Sequence, residues 1–285
     1  MKSYYIIILF FSLLSLDSSA VINRKHFPFN SKQCLICHEK GADGNPVSDK
    51  FTLTQPDMCY KCHERKDQGP VVHPALGMGD CTTCHSPHES SVRPLLKDTI
   101  ENTCTMCHDA PGRELQIKHS ALQMTKSCVR CHNAHSSTQP KLLKAETPQL
   151  CIFCHTGVQK TLEAPSNTIH PALKMGCQSC HSPHGSDNQK LIKDKINDLC
   201  FTCHEAKKFD GGHPRPGHPV SGLPDPMYPQ KEFTCISCHK PHASENKKLL
   251  RYNFKKKPYD GTICSVCHWQ QILPPPAPPT PGWNE

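Results

Sequence analysis

Apolar residues in this chain form one continuous run, from Tyr4 to Leu16, and no second run follows it. The run sits behind a basic Met1-Lys2 start and ahead of Ser18-Ser19-Ala20, with small residues where a processing site needs them. These features predict a secretory signal peptide over residues 1–20, cleaved after Ala20. Thirteen or so apolar residues are too few to span a bilayer comfortably, so a membrane anchor is the weaker reading. Beyond residue 20, only about a quarter of the positions are apolar once cysteine is set aside, against nearly half in an ordinary globular domain. An interior built from Leu, Ile, Val and Phe is therefore excluded. With 27 Pro against 15 Gly, long helices and wide sheets are disfavoured as well. The pattern predicts a mostly irregular fold with short α-helices, long loops and little or no β-sheet.

Composition supplies what hydrophobicity does not: 20 Cys and 20 His in 285 residues. The cysteines form ten Cys-x-x-Cys pairs, each followed at once by His. They are Cys34/Cys37/His38, Cys59/Cys62/His63, Cys81/Cys84/His85, Cys104/Cys107/His108 and Cys128/Cys131/His132. The remaining five are Cys151/Cys154/His155, Cys177/Cys180/His181, Cys200/Cys203/His204, Cys235/Cys238/His239 and Cys264/Cys267/His268. Three readings compete. A disulfide scaffold suits an exported chain but needs no His at a fixed place. Zinc ribbons use pairs at comparable spacing but do not demand His after each pair. Covalent attachment of haem c demands all three residues. Two thiols three residues apart add to the two vinyl groups on one porphyrin edge, and the next residue brings imidazole to the iron. Ten such placements by chance have odds on the order of 10⁻¹². Ten haems make about one per 27 residues of mature chain, so the porphyrins form the core and the polypeptide wraps them.

The motifs alternate in position. Leading motifs begin at Cys34, Cys81, Cys128, Cys177 and Cys235; trailing motifs begin at Cys59, Cys104, Cys151, Cys200 and Cys264. Five two-haem units follow, with bounds near 21–68, 69–115, 116–165, 166–210 and 211–273, making a decahaem domain over 21–273. The text repeats with them. His73-Pro-Ala-Leu-Gly-Met78, His119-Ser-Ala-Leu-Gln-Met124 and His170-Pro-Ala-Leu-Lys-Met175 each precede a leading motif. A second His stands three residues after the motif His at His88, His135, His184 and His242. A Leu-Leu-like pair with a cation follows, as in Leu142-Leu143-Lys144. The first unit departs: it has His26 upstream, but Gly41 where the second His is expected. The last carries a Pro/Gly insertion from Gly211 to Pro229 holding His213 and His218. The tail 274–285 is Pro-rich and is expected to be extended or to act as a spacer.

These motifs resemble the multihaem cytochromes c with the doubled Cys-x-x-Cys-His domain, over essentially all of the mature chain. In haem number, size and export the chain is also similar, more loosely, to periplasmic decahaem cytochromes that sit in an outer-membrane porin. The resemblance implies electron transfer in anaerobic or extracellular respiration. The partners it implies are a quinol-linked donor at the inner membrane, an acceptor at the outer membrane or outside the cell, and a porin. The implied compartment is the periplasm or beyond, without integration into the membrane.

The non-motif histidines are His26, His73, His88, His119, His135, His170, His184, His213, His218 and His242, one for each iron. Their recurrence at unit spacing marks them as sixth ligands, giving bis-His irons that are low-spin and low in potential. Units two to four each have two spare His, the fifth has three and the first has one. An iron of the first unit must then borrow a distant His, take another ligand or stay open. Met78, Met124 and Met175 also recur, but a small apolar residue beside a haem face explains them equally well.

The formal charge of +8 does not signal nucleic acid. Two propionates per haem bring the oxidised holoprotein to about −2 and the reduced one to about −12, and no aromatic-interleaved basic face is present. The expected function is electron carriage without catalysis. The alternatives are a reductase of a small nitrogen or sulfur oxide with an open haem in the first unit, and a filament subunit that takes a ligand from a neighbour.

Overall fold

The computed structural model describes residues 23–205, 218–226, 228–252 and 268. The leader at 1–20, His213, Cys264, Cys267 and the tail 274–285 lie outside the described residues. Within them only Phe233 and Ala243 are buried hydrophobics, whereas Phe27, Met78, Phe153 and ten other large apolar side chains are exposed. A chain with this little buried apolar surface cannot be held by side-chain packing alone.

Order comes instead from short turns at the Cys motifs. Leading motifs start a helical turn at their first cysteine, as at Cys34–Ile36, Cys81–Thr83, Cys128–Cys131, Cys177–Ser179 and Cys235–Cys238. Trailing motifs instead stand on a helix that begins earlier: Asp57–Tyr60, Ile100–Thr105, Gln149–Ile152 and Ile196–Phe201. The longest helix among the described residues, Thr156–Glu163, follows a trailing motif.

The expectation of little or no β-sheet is corrected. Among the described residues twelve strands pair into six two-stranded antiparallel ladders. Four join one repeat to the next. Arg24–Lys25 pairs with Glu89–Ser90, Val71–Val72 with Ser136–Ser137, Ile117–Lys118 with Gly185–Ser186, and Thr168–Ile169 with Ala243–Ser244. Most are two residues long, too short to carry an alternation of apolar and polar positions, so periodicity cannot reveal them. Backbone pairing alone defines them. At Gly185 the strands approach so closely that a Cβ would lie 2.8 Å from the Ile117 carbonyl oxygen. The first repeat differs: its own His38–Lys40 and Pro46–Phe51 form a hairpin, and a second hairpin joins Pro224–Asp225 to Tyr228–Glu232.

The chain divides into two compact units, 1–64 with 78–103, and 65–77 with 104–285. Each is discontinuous, because the strand before a leading motif pairs forward into the following repeat.

Candidate functional site

Among the described residues the Cys-x-x-Cys-His turns close on themselves. In the trailing motif at Cys59 and the leading motif at Cys81, the motif His N–H donates to the carbonyl of the first cysteine at 3.0 Å, and the same bond recurs at Cys104, Cys128, Cys151, Cys177, Cys200 and Cys235. Both thiols and the imidazole therefore leave one turn of backbone. In the second repeat Cys84 ends the Cys81–Thr83 turn, its N–H donating to the Cys81 carbonyl at 3.4 Å. The Cys84 carbonyl accepts the Lys97 N–H at 2.9 Å, so the Leu95-Leu96-Lys97 segment is tied back onto the motif. Cys131, Cys180 and Cys238 accept in the same way from Lys144, Lys193 and Arg251. Like Cys81, Cys84 is half-buried, as the second attachment cysteine of a leading site is expected to be. None of the described cysteines is in a disulfide, and Cys62, Cys107, Cys154 and Cys203 of the trailing motifs are exposed.

Successive motifs meet at alternating cysteines. Within the first, third and fourth repeats the second cysteines are electrostatic neighbours: Cys37 with Cys62, Cys131 with Cys154, Cys180 with Cys203. Between repeats the first cysteines share a hydrogen bond: Cys59 with Cys81, Cys151 with Cys177, Cys200 with Cys235. Burial and then the neighbouring Cys81 push the Cys59 thiol up to about 12, and burial with Cys177 pushes Cys151 up to about 11. The hydrogen bond between Cys200 and Cys235 raises the first and lowers the second.

The histidines meet in twos, by two rules. The His upstream of a leading motif faces the His of its own repeat's trailing motif. Ring centres are 5.8 Å apart for His26–His63, 5.9 Å for His73–His108, 6.0 Å for His119–His155, 6.2 Å for His170–His204 and 6.2 Å for His218–His268. The His of a leading motif faces the second His of the following repeat: His38–His88 at 6.1 Å, His132–His184 at 6.2 Å, His181–His242 at 5.9 Å. The His135 carbonyl accepts the His73 N–H at 2.8 Å. Among the described residues no three or more His, Cys, Asp or Glu side chains converge as a metal-binding group.

These separations test whether haem iron fits. An imidazole nitrogen bonds a transition metal at about 2 Å, so two ring centres opposed across one metal stand roughly 6 Å apart. The pairs meet that requirement. Burial, and after it the facing histidine, lowers the pKa of His73, His119, His170, His184 and His242. That favours the neutral imidazole, the form that ligates metal.

Sequence reasoning missed the apparatus behind the leading motifs. The Nδ1 of His38, His85, His132, His181 and His239 lies 2.8–3.0 Å from the carbonyl oxygen nine residues downstream, on Val47, Pro94, Lys141, Lys190 and Lys248. In three repeats that carbonyl sits in a turn with two consecutive positive φ values, Lys141/Leu142, Lys190/Leu191 and Lys248/Leu249. A serine holds the turn. Ser186 Oγ donates to the Ile192 carbonyl at 2.5 Å and accepts the Asn188 N–H at 2.9 Å. Ser244 does the same with Leu250 and Asn246 at 2.6 and 3.0 Å, and Ser90 and Ser137 repeat the arrangement. The available signal was a serine two residues after every second His. The recurrent methionines, by contrast, are exposed, Met78 at 79% and Met175 at 60%.

The family signature described as "Doubled CXXCH motif" matches residues 26–68, 73–112, 119–160, 170–209 and 228–272, more than half of the chain. Among curated proteins none matches.

Proposed function

The chain belongs to the doubled CXXCH motif family, a signature of electron-transfer multihaem cytochromes c, and on that premise we propose that it carries electrons along ten covalently bound, bis-histidine haems. Each haem c would supply a one-electron iron couple that makes and breaks no bond. The observation that carries the reading is the set of histidine pairs 5.8–6.2 Å apart, each including the His of one Cys-x-x-Cys-His turn.

The polypeptide's work is to hold, space and insulate. Cysteines fix each site covalently, which substitutes for the missing apolar core. Successive sites lie close because their cysteines are neighbours in alternation: Cys37/Cys62 then Cys59/Cys81 in one compact unit, and Cys131/Cys154 through Cys200/Cys235 in the other. Depressed histidine pKa values keep ligands neutral at pH 7. The first repeat, short of a local second His, takes His88 from the next, so its leading site is closed to substrate. This weighs against a reductase with an open haem there.

No helix of the described residues is long and apolar enough to cross a membrane. With the leader-like N-terminus, this supports work in the periplasm between a quinol-linked donor and an outer-membrane or extracellular acceptor, with a porin as a further partner. The deciding experiment is the intact mass and spectrum of the exported protein. Ten haems add roughly 6 kDa that survives denaturation, and the oxidised protein is low-spin. A colourless protein, or one loaded with zinc, overturns the proposal.

A further inference from the structure

The two motif types differ behind the imidazole. Leading-motif histidines are half-buried, with Nδ1 at hydrogen-bond distance from a backbone carbonyl. The trailing-motif rings of His63, His108, His155 and His204 are exposed, and among the described residues they make no ring hydrogen bond. A carbonyl at Nδ1 fixes the proton there, leaves Nε2 for the metal, and makes the ring a stronger donor.

Three different backbones arrive at this contact. In the third, fourth and fifth repeats the acceptor rides a Lys-Leu turn with φ of 56° to 59° at both residues. That conformation crowds Cβ against the following carbonyl oxygen and is unfavourable for any residue but glycine. In the second repeat Pro94 stands at the equivalent place, where its ring forbids positive φ, and only Leu95 is left-handed. In the first repeat the acceptor is Val47, on a strand of the Pro46–Phe51 hairpin. Carbonyl distances of 2.8–3.0 Å persist through all three solutions. A feature reached by unlike local folds, in three cases against backbone strain, points to the contact itself rather than to the loop.

We propose that Val47, Pro94, Lys141, Lys190 and Lys248 are positioning residues, whose carbonyls tune the proximal ligand of every leading haem and divide the haems into a carbonyl-bonded class and a solvent-facing class. The inference rests on the haem reading above. Within it, the contact favours the ferric state, so each leading haem sits at lower potential than it would without its carbonyl. The classes alternate along the sequence, so electrons cross a repeating step in ligand strength.

Two measurements on the full holoprotein test this. In the reduced, diamagnetic protein with ¹⁵N-labelled histidine, the Nδ1 protons of the leading class exchange with D₂O roughly tenfold more slowly than those of the trailing class, the factor one such hydrogen bond is worth. Equal exchange in both classes overturns the proposal. The second compares Lys190→Val with Lys190→Gly. Both delete the same ammonium group, but only valine opposes the left-handed turn. Lys190→Val is expected to move one of the ten haem transitions to higher potential and to speed exchange at His181, while Lys190→Gly behaves as wild type. Identical redox titrations for the two variants, with all haems retained, overturn it. If Lys190→Val loses haem, the wild-type exchange measurement decides. Absence of haem from the wild-type protein counts against the haem reading, and the mass measurement detects that separately.

Discussion

Position 41 of the first repeat is glycine where the third repeat has His135 and the fourth His184. Gly41 lies inside a hairpin turn, donating its N–H to the Asn45 carbonyl at 2.7 Å. A Cβ there would stand 3.0 Å from Asp43 Oδ1 and 3.2 Å from both the Asn45 carbonyl oxygen and Val47 Cγ2, so no larger side chain is accommodated without movement. His184, in contrast, turns back to face His132, and its carbonyl accepts the His119 N–H at 3.0 Å. The second histidine thus serves the repeat before its own. The first repeat uses the same position for the turn of its own hairpin instead.

Removing a whole site separates the two regions most strongly. Replacing Cys177 and Cys180 by serine takes roughly 0.6 kDa of haem from the interior of the array. It also removes a haem that has an attachment cysteine of another site on either side, Cys151 and Cys203. The same change at Cys34 and Cys37 loses the same mass but one neighbour, Cys62. Mass spectrometry should show equal haem loss, and calorimetry a melting temperature lowered by roughly 10 °C for the interior pair, as for a core deletion of 3–5 kcal/mol, and by less for the first.

Next in size is the ligand exchange itself. His184→Ala is expected to produce one high-spin iron by EPR, at the site of His132 and not at that of His181 in its own repeat. Gly41→His should leave the spin count unchanged and only weaken the hairpin. A high-spin signal assigned to His181 would reverse the direction of pairing.

A smaller effect attends Ser186→Ala, which strands the Asn188 N–H and leaves the Ile192 carbonyl only the longer 3.4 Å bond from Asn188 Nδ2. The residue is 5% exposed, so a loss of about 1–3 kcal/mol in denaturant unfolding is expected. The first repeat supports His38 by a hairpin and has no such serine to remove.

The mildest contrast is in pH. Burial depresses the pKa of His184 below its ordinary value of 6.5, as it does for His119 and His242. A histidine held neutral in the fold binds fewer protons than in the unfolded chain. Its contribution is present above pH 6.5 and is lost as acid protonates the unfolded state and then the folded one. Acid titration should release low-spin character only below that pH. Gly41, with no side chain to titrate, contributes nothing to the slope.

How much of this could be read in advance follows from how far each feature reaches. The Cys-x-x-Cys-His turns were plain because two bonds and a ligand must come from five consecutive residues. The repeat of His, Leu pair and cation was equally plain, though not that its cation position, Lys97 for instance, hydrogen-bonds back to the second cysteine, Cys84. Direction was hidden too: the sequence shows His184 three residues after His181 but cannot say that it faces His132 of the repeat before. The shortage anticipated in the first repeat came from assigning each histidine to its own unit, whereas His38 lies opposite His88. The inter-repeat ladders escaped for a related reason. Glu89–Ser90 and Ala243–Ser244 share no composition beyond their serine; a strand of two residues is specified by its partner, here more than sixty positions away. The serines were visible as recurring letters, but their purpose depends on a carbonyl six residues on.

Backward pairing also sets a timetable for a chain that emerges from its N-terminus. His38 becomes available fifty residues before His88, and His181 sixty-one before His242. The newest leading site is therefore always half-dressed, its far side awaiting chain still to come, while a trailing site such as that of His63 finds its mate, His26, already delivered.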